Sequence, residues 1–410
     1  MGRREPMKIA VVGCGDAGLS AAFAAAKQDP NSEVIIISDE TSYYPRCPLP
    51  YFIGGSVKEK ELVYDLRRMF KGTNIKAVND TVLRVTDGFL ECKDGKITFD
   101  KAIIATGGIA RRIGDSITLR TLEDAKRIKK AAEESDNIVF LGGGMLGCEL
   151  ADVLGGTLLE KQSHILPNFD KKFADAIASK LNKKGVRIIT NSERTPKADL
   201  VVSCVGVDPD LELAVKSGIK TSRFGINVND RLETSIKNVY AAGDCIEEKC
   251  LITGVPMHSY LGPQAEREGV IAGVNAAGGN MYYKGSLGAV VAKIDDIEIG
   301  RTGLCGEEAA ERGVSIVEGM VRTKTKPAYD TTAKDLMIKM VFIQERLVGC
   351  QALGGEMIDG IINLASYAIQ HNATIDDLIN MTYCFSPPIC SAPNPIILCA
   401  ENAKRRSKNG

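Results

Sequence analysis

The sequence has no surplus of charge of either sign: 52 Lys and Arg offset 52 Asp and Glu. Without a basic excess, nucleic acid and anionic membrane surfaces are excluded as partners. A long apolar run is missing as well. The stretch after residues 1–6 meets Asp16 before it reaches the length of a secretory leader or a spanning helix. The chain is therefore expected to remain in the cytoplasm. Tryptophan is absent, and the three histidines, His164, His258 and His371, adjoin no motif. Twelve cysteines are present, but without the dense regular spacing of a secreted disulphide framework. They read as reduced thiols, and no metal site is expected.

What is present is a pattern that occurs twice. At roughly 150 residues per domain, a chain of 410 residues holds two or three. An apolar strand over residues 9–12 runs into Gly13, Gly15 and Gly18 and then an alanine-rich helix over 19–27. A second strand over 33–37 leads to Asp39, 26 residues after Gly13. This is a dinucleotide-binding βαβ unit. Its glycines let the backbone approach a pyrophosphate at the helix N-terminus, and its acid receives a sugar hydroxyl. A glycine pattern alone is a weak signal, and the strand on either side makes it a strong one.

The second copy has a strand over 137–141, then Gly142, Gly144 and Gly147, a helix over 148–154, and a strand over 157–159 ending at Glu160. One chain therefore carries two nucleotide sites. Gly142 to Glu160 is 18 residues, shorter than the roughly 20 of the usual unit. The crossover helix must be short, and Gly155 and Gly156 must turn the chain sharply back. As a ligand, Glu160 accepts a ribose 2′-OH and repels a 2′-phosphate, which favours NADH over NADPH. As a solvated strand-end acid it would do neither.

Three more strands end in residues suited to a cofactor edge: 101–105 before Thr106 and Gly107, 199–204 before Gly206, and 239–242 before Gly243 and Asp244. Beyond residue 288 the texture changes to alternating strands over 337–343 and 347–350 and a helix over 357–370. The expected fold class is α/β, with two Rossmann-like dinucleotide-binding domains and a C-terminal α+β domain. The basic run at 404–408 reads as the solvated end of a final helix.

Taken in order, these motifs resemble the pyridine nucleotide-disulphide oxidoreductases, in particular the single-cysteine branch of coenzyme A-disulphide reductases, NADH oxidases and peroxidases. The resemblance covers nearly the whole chain. It implies that Gly13, Gly15, Gly18, Asp39, Arg46, Thr106, Gly107 and Asp244 bind FAD, with Asp244 on the flavin side chain. It implies that Gly142, Gly144, Gly147, Glu160 and Gly206 bind NAD(P)H. The implied domains are an FAD domain in two pieces, 1–112 and 230–287, an inserted NAD(P)H domain, 113–229, and a dimerisation domain, 288–410. A homodimer follows, in which residues 386–395 reach the partner's active site.

The resemblance also selects one cysteine. Cys47, in Cys-x-Leu-Pro-Tyr after the second strand of the first unit, stands where this branch keeps its redox thiol. Beside Arg46 its thiolate is expected to be favoured. Cys47 has no cysteine within the following ten residues, so an internal disulphide at that position is excluded. Cys245 and Cys250 have the dithiol spacing but follow Asp244 instead, and read as incidental. Asp16 replaces the histidine of the peroxidases, Phe385 replaces a tyrosine of the coenzyme A enzymes, and Tyr43 to Arg46 is similar to rubredoxin and nitrite reductase flavoproteins.

Without a local partner, Cys47 can cycle as a mixed disulphide, a persulphide or a sulphenic acid. The expected activity is NAD(P)H-driven reduction of a small disulphide, CoA-disulphide or polysulphide through FAD and Cys47. Two alternatives stay open. One is an NADH oxidase or rubredoxin-type electron-transfer flavoprotein in which Cys47 is dispensable, and the other is a non-catalytic flavin sensor. Cys384 and Cys390 are either resolving thiols for Cys47 or small packed residues.

Overall fold

β1 (Lys8–Val12) is apolar on both faces, with Ile9 and Val11 wholly buried, and residues of that kind belong in the middle of a parallel sheet. The computed structural model, which describes residues 5–408 apart from 312, places it there. α1 (Asp16–Gln28), β2 (Glu33–Ser38), β3 (Ile75–Asn79) and β4 (Lys101–Ile104) follow. The chain then runs through β5 (Ile138–Leu141), α2 (Met145–Leu154), β6 (Thr157–Leu159), β7 (Arg187–Ile189) and β8 (Leu200–Ser203) before β9 (Val239–Ala241) and α3 (Gly262–Ala276).

The chain divides into two units. The first is Met1–Arg112, Ile117–Lys130 and Gly206–Ser286, and the second is Ile113–Ser116, Ala131–Val205 and Leu287–Gly410. In the first, a parallel sheet runs in the order β9–β4–β1–β2–β3. α1 and α3 pack together closely because their facing residues are small. A Cβ on Gly269 would lie 2.2 Å from the Ala17 carbonyl oxygen, and one on Gly273 2.2 Å from that of Ala21. The alanine-rich composition of α1 therefore fixes how near α3 can come.

In the second unit a parallel ladder runs β8–β5–β6–β7. The same unit holds β10 (Val290–Ile294), β11 (Ile297–Gly303), β12 (Val317–Lys324), β13 (Asp335–Ile343) and β14 (Arg346–Gly354). These form an antiparallel sheet in the order β10–β11–β14–β13–β12. α4 (Ile358–Gln370) packs on β11 and β14, and α5 (Pro395–Ser407) on β12 and β13. The α/β class with an α+β C-terminal portion is the architecture observed.

Candidate active site

The two glycine turns are built to one plan. Gly13 and Gly142 both have φ +102°. The Gly13 amide donates to the Ile37 carbonyl at 2.8 Å, and the Gly142 amide to the Leu159 carbonyl at 2.8 Å. A Cβ on Gly13 would strike the Ala105 carbonyl oxygen at 2.3 Å, and one on Gly142 that of Cys204 at 2.6 Å. Gly18 and Gly147 press against Gly13 and Gly142 in turn, each with a Cβ position 2.0 Å from the carbonyl oxygen. The middle glycines differ: a Cβ on Gly15 or Gly144 would meet no protein atom within 4 Å. First and third glycines close the turn, and the second leaves open space at the N-terminus of α1 or α2, where a pyrophosphate fits.

In the first unit this open space belongs to a cleft of roughly 450 Å³. The cleft brings together Gly13, Gly15, Asp39, Arg46, Cys47, Thr106, Gly107 and Asp244. A second cavity of roughly 270 Å³ adjoins it through Gly13, Ser38, Asp39 and Thr106. Gly18 lies buried beneath the turn, and Asp39 is exposed at the end of β2. Thr106 is held by a hydrogen bond from its hydroxyl to the Asp210 carbonyl at 3.1 Å.

Two groups in this cleft escaped the sequence reading. Arg120 donates from Nη2 to Asp244 Oδ2 at 2.5 Å, both side chains being largely buried. The Arg120 Nε and the Tyr260 hydroxyl are buried polar atoms that, among the described residues, have no hydrogen-bond partner. Burial pushes the Tyr260 phenol up to about 12, and the ring stacks on His258 with centroids 4.8 Å apart. Two unsatisfied donors bordering an open cleft are suited to a bound cofactor's acceptors. Neither carries a local signal, since an arginine before a helix or a tyrosine in a loop is ordinary.

Cys47 is exposed, in the loop between the short strand Ser42–Tyr43 and the helix Leu49–Ile53. Arg46 lies beside it in sequence, but its guanidinium sits 3.7 Å from Glu40 and donates to the Arg120 carbonyl at 3.4 Å. Tyr44 donates to the same Glu40 carboxylate at 2.6 Å, which, after burial, pushes the phenol up to about 12. Tyr43 instead donates to Asp16 Oδ1 at 2.7 Å.

In the second unit, Glu160 is buried, and its carboxylate accepts from the Gly143 amide at 2.7 Å and the Gln162 amide at 2.8 Å. The acid thus braces its own glycine turn. Gly155 and Gly156 both have positive φ, and a Cβ on Gly156 would lie 2.6 Å from the Ile138 carbonyl oxygen. The short crossover is accommodated by this pair. Gly206, at φ +97°, accepts from the Arg111 amide at 2.9 Å and belongs to the first unit. Cys245 is buried, its thiol pushed up to about 12 by burial, and bonds to the Ala242 carbonyl. Cys390 points its sulfur at the Cys384 carbonyl, 3.6 Å away.

Residues 7–269 match the family described as pyridine nucleotide-disulphide oxidoreductase, and residues 291–394 match its dimerisation domain. The chain belongs to the pyridine nucleotide-disulphide oxidoreductase family. Among the relatives of this oxidoreductase is a protein named NADH oxidase from Methanocaldococcus jannaschii, 31% identical over 98% of this chain and 100% of the other. A second, named NAD(P)H sulfur oxidoreductase (CoA-dependent), from Pyrococcus abyssi, is 30% identical over 97% and 98%. The solved NAD-dependent persulfide reductase from A. fulgidus superposes with a TM-score of 0.92 at 26% identity, covering 98% of this chain and 84% of that one. The enzymes of this family use FAD and NAD(P)H, and the two glycine turns described above are shaped to hold them.

Proposed function

We propose that this oxidoreductase spends NADH on reducing a small disulphide, CoA-disulphide or polysulphide species through Cys47. The observation that carries the reading is the shared cleft: the exposed Cys47 thiol borders the same space as Gly15, Thr106, Gly107 and Asp244. Bound FAD would supply a two-electron carrier between the nicotinamide and the sulfur. The turn from Gly13 to Gly18 would bind its pyrophosphate, Asp39 a ribose hydroxyl, and Asp244 with Arg120 its side chain. Arg46 screens the site's acidic rim by pairing with Glu40. In the second unit Gly142, Gly144 and Gly147 would hold NADH, with Glu160 keeping the turn in shape.

The Pyrococcus abyssi and A. fulgidus names, with sulfur and persulfide in them, support this choice of substrate. The match to a dimerisation domain supports a homodimer. No described helix is long and apolar enough to cross a membrane, and we place the enzyme in the cytoplasm. The name NADH oxidase on the Methanocaldococcus jannaschii relative favours oxygen as a second acceptor.

Cys47→Ser distinguishes the two. Under anaerobic conditions, turnover with a disulphide or polysulphide should fall by about a thousandfold or more, while bleaching of the flavin by NADH stays rapid. Unchanged turnover with every acceptor would remove the thiol from the reaction and leave direct electron transfer.

A further inference from the structure

Gly262 opens α3 at the wall of the cleft, and two reactive atoms face it. The place a Gly262 Cβ would occupy is 3.1 Å from Asp16 Oδ2 and 3.7 Å from Cys47 Sγ. Glycine at this position leaves the gap between carboxylate and sulfur unfilled. Asp16 is the first residue of α1, and Gly262 the first of α3, so two helix N-termini converge here. Both favour negative charge. A carboxylate and a thiol that border one gap are placed to pass a proton between them.

Neighbouring side chains hold Asp16 at the edge of this gap. Tyr43 anchors the other carboxylate oxygen, donating to Oδ1 at 2.7 Å. Burial, then the Asp16 carboxylate, raises the phenol far above its ordinary value, so Tyr43 keeps its proton and acts as a support. Arg46 is offset by Glu40, and Arg120 by Asp244. Glu266 on α3 also acts on Tyr43 and is exposed and screened by solvent.

We propose that Asp16, oriented by Tyr43, is the acid–base group of the Cys47 thiol during exchange with a neutral disulphide. The inference rests on the reading of Cys47 as the reacting thiol. As Cys47 Sγ attacks one sulfur of R–S–S–R, the Sγ–H proton passes to Asp16 Oδ2. The Cys47–S–S–R bond forms, the R–S–S–R bond breaks, and Asp16 returns the proton to the departing sulfur as R–S–H. The step exchanges one disulphide for another with no net change in oxidation level.

The test reads the thiol itself. FAD-loaded enzyme is treated with bis(hydroxyethyl) disulphide, which carries no ionisable group, across the pH range. Mixed-disulphide formation at Cys47 is followed by mass, with Cys47→Ser as the background. Asp16→Asn should slow modification about tenfold at about pH 6, with little change at about pH 9.5, where thiolate forms unaided. Asp16→Glu should recover the low-pH limb, and Tyr43→Phe should lose two- to threefold of it, roughly. Profiles for Asp16→Asn and Tyr43→Phe that superimpose on the wild type would overturn the assignment. This readout does not depend on turnover, so it separates from the question of whether Cys47 is needed for catalysis.

Discussion

Arg120 and Asp244, 124 residues apart, meet through an Nη2–Oδ2 contact of 2.5 Å, with side chains about four-fifths buried or more. Removing one member of such a pair leaves the other charge uncompensated in a poorly solvated place. Arg120→Ala is expected to destabilise the first unit by about 3 kcal/mol and to release FAD during gel filtration. Arg120→Lys keeps the charge but loses the planar fork, and should retain most of the stability with weaker flavin binding. Urea unfolding and the ratio of flavin to protein absorbance check both.

Glu160 accepts two charge-assisted bonds from backbone amides, one from Gly143 in the glycine turn and one from Gln162 in the loop that follows the acid. Each is worth about 1.5–3 kcal/mol when buried, so the turn depends on this carboxylate. Glu160→Ala should raise the NADH concentration for half-maximal flavin reduction by about tenfold or more, and Glu160→Gln by less, because an amide oxygen can replace one acceptor. The limiting rate of flavin reduction should change far less than the half-saturation value. Stopped-flow reduction across NADH concentrations separates the two.

Glu149 on α2 titrates abnormally: burial first, then the charge of Asp152, pushes its carboxyl up to about 7. The folded state therefore holds this proton more tightly than the unfolded chain does. Stability is lost as pH rises from the ordinary carboxylate value toward about 7. Glu149→Gln, which cannot ionise, should stabilise the protein above about pH 7 by about 1–3 kcal/mol and change little below about pH 4.5. Urea melts at the two pH values would show equal gains if the shift were absent.

These sites were legible in the sequence to the degree that they are local. Gly13 to Gly18 and Gly142 to Gly147 announce themselves because turn, helix and strand end lie within one short βαβ segment. Cys47 became visible through its motif. Arg120 with Asp244 and Tyr43 with Asp16 did not, since each pair is joined by the fold across loops whose course no local pattern specifies. Arg46 stands beside Cys47 in sequence and lines the same cleft, and its pairing with Glu40 is a contact that adjacency alone does not specify. Glu160 stands at the strand end as expected, yet its oxygens turn inward to amides, a role that sequence spacing cannot distinguish from ligand binding.

The repeated turn offers a matched pair of substitutions. Gly13 and Gly142 have φ +102° and a carbonyl oxygen where a Cβ would be, so alanine is both strained and obstructed there. Gly13→Ala and Gly142→Ala should unfold their units or yield insoluble protein, a loss of more than about 2 kcal/mol. Gly15 and Gly144 have φ −72° and −69°, which any residue adopts, and open space around the Cβ position. Compared as ligand-free proteins, Gly15→Ala and Gly144→Ala should therefore melt like the wild type, while a methyl group intrudes on the pyrophosphate. Gly15→Ala should be purified with little FAD, and Gly144→Ala should keep FAD but bind NADH about tenfold more weakly or worse. Differential scanning calorimetry with flavin content and NADH titration resolves the four, and equal loss of stability at both positions of a turn would show that the open space is not reserved for a ligand.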